Sequence, residues 1–144
     1  MLIAPLVPPQ APLHELIDAL RTTPRPVAVP TDPDIAFSMC TVGTAGRIHD
    51  RAVLDALGWT TGTRLVLRCG VDGSLHAHPA EHGAAHIAGG YFRIPFRLRR
   101  LADLEIGDRV MLVAYPQHQQ LAIYPPPILH MYFGNCPQSL ESQR

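Results

Sequence analysis

There is no lysine in this sequence: all twelve basic residues are arginine. Twelve acidic residues balance them, so the formal net charge is zero. A blanket attraction to nucleic acid or to an anionic membrane is therefore excluded as the basis of function. Charge is sparse, at 17% of residues against 47% hydrophobic. That excludes a disordered polyelectrolyte and leaves enough apolar material for a packed core. The three cysteines, Cys40, Cys69 and Cys136, stand far apart with no CxxC pair, which suits neither a disulfide framework nor a zinc ribbon and fits reduced thiols. No apolar run is long enough to span a membrane, and residues 1–9 lack the basic start of a secretory signal. The expectation is a cytoplasmic protein with no membrane partner. Walker and dinucleotide-binding loops are missing too, and neither Ser38 nor Ser74 has the flanking pattern of an activated nucleophile. These absences point to a binding protein rather than an enzyme, with no cofactor.

What is present is unevenly placed. Eight of the fifteen prolines fall in residues 1–33. Within that stretch Leu13, Leu16, Ile17 and Leu20 recur at helical spacing, which predicts a short amphipathic helix over 12–22 between irregular Pro-rich segments. From Pro125-Pro126-Pro127 onward the chain reads as an irregular tail. Charge alternates between these ends. Residues 46–68 carry four arginines against Asp50 and Asp55, and 90–112 carry five against Asp103, Glu105 and Asp108, so each block is +2. Residues 69–89 hold only Asp72 and Glu81.

The two basic blocks are copies of one unit. Val53, Leu57, Trp59, Gly62 and Leu65 in the first correspond to Leu98, Ala102, Leu104, Gly107 and Val110 in the second, at a constant offset of 45 from Asp50/Pro95 to Leu67/Leu112. The offset is 44 at Gly46/Gly90 and 46 at Leu75/Leu121 and Pro79/Pro125, so the slips fall at turns. Each copy reads as a strand, a Gly turn, a short second strand, a helix of one or two turns, and two closing strands. The first strands are 35–42, with Phe37 and Met39 on one face, and more weakly 84–88. The closing strands are 64–69 with 75–78, and 109–114 with 121–124. Asp50 suits the N-cap of the first helix, Gly58 its left-handed end, and Pro95 the opening of the second helix. Trp59 aligns with Leu104 and reads as core rather than as a stacking platform. A unit of about 45 residues cannot bury both faces alone, whereas two can by interlocking into one barrel. The domains are then 1–34, a Pro-rich N-terminal segment, two halves at 35–80 and 81–126, and a tail at 127–144.

Gly90-Tyr91-Phe92-Arg93-Ile94-Pro95-Phe96-Arg97-Leu98-Arg99-Arg100, continued by Leu104-Glu105-Ile106-Gly107-Asp108-Arg109-Val110, resembles the pattern of the AbrB/MazE/SpoVT family. The first copy keeps Gly46-Arg47-Ile48 and Gly62-Thr63-Arg64-Leu65, replaces the family's proline with Asp50, and is one residue short. The resemblance covers about residues 35–126. The tandem layout is similar to MraZ, although neither copy has a clean D-x-x-x-R motif. It implies a mainly β fold with short helices, in which the two pseudo-repeats form one swapped-hairpin β-barrel, accompanied by the N-terminal helix. It implies a DNA-binding transcriptional regulator, with double-stranded DNA as partner and possible self-association of pseudo-dimers. Carried over residue by residue, the DNA-contacting candidates are Arg47 and Arg51 in the first copy and Arg93, Arg97, Arg99 and Arg100 in the second. Tyr91 stands where the second copy would carry the motif arginine, which implies either an asymmetric contact or a structural role for that copy. Arg64 and Arg109, at strand starts, are expected to pair with nearby acids such as Asp108. The antitoxin branch of the family implies an alternative, a toxin-like protein partner bound through a terminal segment.

A third reading comes from residues 76–86. His76, His78, His82 and His86, with Glu81, have the residue types of a metal site, and Gly70 followed by His76-x-His78 and an acid is similar to the first cupin motif. That reading implies a small metal-dependent β-barrel enzyme. The Glu is one residue too close for the motif, no second motif follows, and the segment falls in the connector between copies, so a solvated connector is the expected role.

Overall fold

The computed structural model describes residues 34–137. The expected helix over 12–22 lies outside them. By itself, Asp32–Arg144 forms one compact unit. Its first half runs β1 (Ala36–Thr41), a 3-10 turn (Thr44–Gly46), β2 (Arg47–Ile48), α1 (Arg51–Leu57), β3 (Arg64–Cys69) and β4 (Leu75–Pro79). The second half repeats this order as β5 (Ala85–His86), β6 (Phe92–Arg93), α2 (Phe96–Leu101), β7 (Arg109–Tyr115) and β8 (Gln120–Tyr124). A last helix, α3, follows at Pro126–Phe133.

The fold is mainly β. Six strands form an antiparallel sheet in the order β1-β7-β8-β4-β3-β5, and β2 and β6 form a separate two-stranded ribbon. Exchanging the halves leaves this order unchanged when read from the other end. Each half gives its first strand to the other: β1 pairs with β7, Ala36 opposite Ala114, and β5 pairs with β3, Arg64 opposite His86. The ribbon joins the two second strands, and β4 pairs with β8 along the middle. The halves therefore interlock as the repeat requires. The expected closed barrel is not found, because β1 and β5 end the sheet without pairing to each other. The reason is local: β5 is two residues long, between Gly83 and Gly89-Gly90, and has no length left to close the sheet.

The core lies on one face of the sheet and is capped by the ribbon and helices. Pairs related by the 45-residue offset are buried together, among them Val53 with Leu98, Leu57 with Ala102, Trp59 with Leu104 and Leu65 with Val110. In the ribbon, alternation sends Ile48 and Phe92 into this core and turns Arg47 and Arg93 the other way. The Trp59 indole N–H donates to the Gln119 side-chain oxygen at 2.8 Å, and the Gln119 amide donates to the Leu57 carbonyl at 2.9 Å. The most buried aromatic of the first half is thus tied to the β7–β8 turn of the second.

Helix α1 begins and ends as its residues dictate. The Asp50 carboxylate accepts from the Val53 backbone N–H at 3.0 Å and also from the Ser38 hydroxyl of β1. Gly58 stops the helix at φ 72°. Replacing Asp50 by alanine removes both contacts and is expected to cost about 1–2 kcal/mol. Urea unfolding checks this, with a lower midpoint at unchanged slope. Helix α2 follows Pro95, which sits one residue before its first turn. The irregular tail expected after Pro125 is corrected by α3. Pro126 and Pro127 open this helix, where a missing N–H costs nothing, and Ile128 buries its side chain near Gly73. Among the described residues no helix is long and apolar enough to cross a membrane.

Candidate nucleic-acid interface

The ribbon places Arg47 directly opposite Arg93. Like charges facing each other across two strands destabilise the pair. Here both guanidiniums lie over one ring: Arg47 is 4.2 Å and Arg93 is 5.2 Å from the centroid of Tyr91. The ring face carries partial negative charge and holds both cations. His49 meets the same ring edge-on, with centroids 6.5 Å apart. The Nε of Arg47 is buried and has no hydrogen-bond partner among the described residues. A buried donor needs a partner, from solvent or from a ligand.

Behind the ribbon, the chain is drawn tight at Gly46. Its carbonyl accepts from the Ile94 N–H at 2.9 Å, and its φ is +82°. A side chain here would collide with the Ile94 carbonyl oxygen and come within 2.8 Å of the Arg99 Nε. Arg99 uses that Nε to donate to the Ile94 carbonyl at 3.0 Å, which fixes its stem and leaves the terminal nitrogens of the guanidinium to other partners. The Arg99 and Arg100 guanidiniums lie 5.4 and 5.9 Å from the Phe96 ring centroid. Phe96 itself is 63% exposed. Arg97 is exposed on the same helix. Arg51, on α1, makes an exposed i,i+4 ion pair with Asp55 at 3.9 Å and lines a groove of about 400 Å³ with His49, Gly89 and Gly90.

The structure thus joins four of the six candidate arginines through two rings, Arg47 and Arg93 on Tyr91, and Arg99 and Arg100 on Phe96. Arg51 sits at an adjoining groove beside His49, and Arg97 is placed by its helix alone. Arg64 and Arg109 depart from expectation. Both are exposed, and the Asp108 carboxylate instead accepts from the Glu105 N–H at 2.8 Å, closing its own turn. Tyr91 is the residue of the candidate site that the sequence did not disclose in this place. Its place in the motif was visible; the strand pairing that lays both arginines on it was not.

The histidines separate. His76 and His78 share one face of β4, His82 lies in the following turn, and His86 is on β5 opposite Arg64. Among the described residues no three His, Cys, Asp or Glu side chains are grouped to hold a metal ion. His76 is engaged otherwise: its Nε2 is 2.9 Å from the Ser74 hydroxyl, and its Nδ1 is 3.1 Å from the Gln120 amide nitrogen. Ser74, in turn, donates its hydroxyl to Asp72 at 2.6 Å. The Ser74 hydroxyl thus contacts both the Asp72 carboxylate and the His76 ring. Burial pushes the Cys40 thiol up from its ordinary value, which favours the protonated form.

The Ser74 hydroxyl and backbone N–H both donate to Asp72 and hold its carboxyl below the ordinary 3.8. A carboxyl more acidic folded than unfolded adds stability above that ordinary value and loses it as pH falls through the folded one. The acid limb of the urea midpoint against pH is therefore expected to be shallower in Asp72→Asn than in the wild type. Parallel limbs would contradict it.

No protein-family model and no curated protein matches this chain.

Proposed function

We propose that this chain is a duplex-DNA-binding regulator of the kind its repeat resembles, an AbrB/MazE/SpoVT-like protein whose two halves act as one intramolecular, swapped-hairpin pseudo-dimer. The observation that carries the reading is the Arg47–Tyr91–Arg93 stack. Two opposed cations are assembled by the pairing of the two halves, with no carboxylate bonded to either among the described residues. A feature that breaks the local rule for cross-strand charges is accounted for by an anion that neutralises it. DNA suits the geometry, because a two-stranded ribbon fits the major groove and arginine matches both phosphate and the guanine edge. Arg97 and Arg100, exposed on α2, and the half-buried Arg99 supply phosphate contacts, which position without specifying.

The antitoxin reading depends on the terminal segments, of which 1–33 and 138–144 lie outside the described residues, and no three donors of the histidine run are grouped among the described residues. The test is binding of the full chain to a duplex from the region upstream of its own gene, measured by anisotropy across a salt series. Five or six phosphate contacts predict a slope of log K against log salt of about −5. A slope near zero, or no binding at low salt, would overturn the proposal.

A further inference from the structure

We infer that this chain reads an asymmetric, non-palindromic duplex, gripped mainly by its second half. The inference rests on the DNA-binding reading and goes beyond it by naming the class of site. A backbone with twofold symmetry ordinarily meets a palindrome, because each half places the same groups on each half-site. The strand order here is symmetric, reading alike from both ends, and the repeat-related apolar residues are buried together.

The charged surface does not follow the backbone. In the repeat register, Arg47 corresponds to Tyr91, Arg51 to Phe96, and Arg93 to His49. Arg97, Arg99 and Arg100 correspond to Ala52, Leu54 and Asp55. None of the six arginines has an arginine at its counterpart. The consequence is sharpest on the helices. Helix α1 carries Arg51 and Asp55, paired at 3.9 Å, and is neutral. Helix α2, Phe96–Leu101, carries Arg97, Arg99 and Arg100 and no acid, and none of the three makes an ion pair among the described residues. One half thus offers three unneutralised guanidiniums to phosphate where the other offers none in excess. At the ribbon the imbalance repeats: the arginines of both halves stack on a ring that belongs to the second half alone. Two identical half-sites cannot be matched equally by such a surface, and a sequence whose two sides differ can.

The experiment is affinity selection of the full chain on random duplexes. It is joined by salt-dependent binding of the wild type, Arg51→Ala and the double variant Arg97→Ala/Arg100→Ala on the enriched duplex. The expected result is an enriched motif that differs from its own reverse complement. The double α2 variant lowers the salt slope by about two and Arg51→Ala by less than one. A palindromic motif, binding with no enriched motif, or equal loss of slope per arginine on the two helices overturns the inference and leaves DNA binding standing. Absence of any duplex binding overturns both.

Discussion

Phe92→Ala is expected to lower stability by about 4 kcal/mol and to weaken the ribbon that carries the candidate interface. Phe92 is 1% exposed and pairs with Ile48 across the ribbon. The ribbon has only two residues in each strand. So short a pairing cannot hold itself, and its place is set by the side chains beneath it. Removing the ring leaves a cavity under Ile48 and removes the apolar anchor of β6 one residue from Arg93. Chemical unfolding should show a single transition at a much lower midpoint. A loss under about 1 kcal/mol would mean that the ribbon is held by something other than this contact.

The second large effect concerns binding. Replacing both Arg47 and Arg93 by alanine is expected to weaken duplex affinity by roughly 3 kcal/mol, on the order of 100-fold. The variant should fold at least as well as the wild type, because it removes a like-charge pair and an unmet buried donor. The combination of lost binding and retained stability separates a binding role from a structural one. A variant that binds as well as the wild type, or that unfolds, would refute the role assigned to the stack. Tyr91→Phe keeps the ring face and should retain most of the affinity, whereas Tyr91→Ala should lose much of it.

Much of this fold was legible in the sequence because its core is periodic. The closing strands fall within a residue of their expected bounds, and Asp50, Gly58 and Trp59 stand in the expected roles. Local chemistry decides those features: a carboxylate three residues before an N–H, a glycine at positive φ, a large apolar side chain in register with Leu104. Features decided by pairing between distant segments were harder to read. The span 84–88 reads as a weak strand, yet only Ala85–His86 forms one, with Ala88 in an isolated bridge to Tyr91, and no closed barrel is found. Three successive prolines read as a break, yet they open α3 because Ile128 finds a buried position. Gln119 bridges Trp59 and Leu57 from a residue with φ 49°, which no local pattern announces.

The candidate site divides the same way. Its arginines were identifiable from the motif, and their grouping was not. Arg47 and Arg93 are 46 positions apart, and only the antiparallel pairing of β2 with β6 brings them to one ring. Arg64 and Arg109 shared the motif's charge but stand at strand starts, where Asp108 is already engaged by its own turn. The histidine run failed as a cluster for a related reason. Residues close in sequence were divided among a strand, a turn and a second strand, and His76 was taken up by Ser74 and Gln120.

The most direct measurement is site-specific photo-crosslinking of the full chain to labelled duplex DNA, with an aromatic photoreactive side chain at position 91, just before β6 of the ribbon, or at position 37, whose Phe37 is 70% exposed on β1. The account predicts a salt-sensitive crosslink from position 91 and none from position 37. Crosslinking from 37 alone, or from neither position under conditions where the protein is folded, would contradict it.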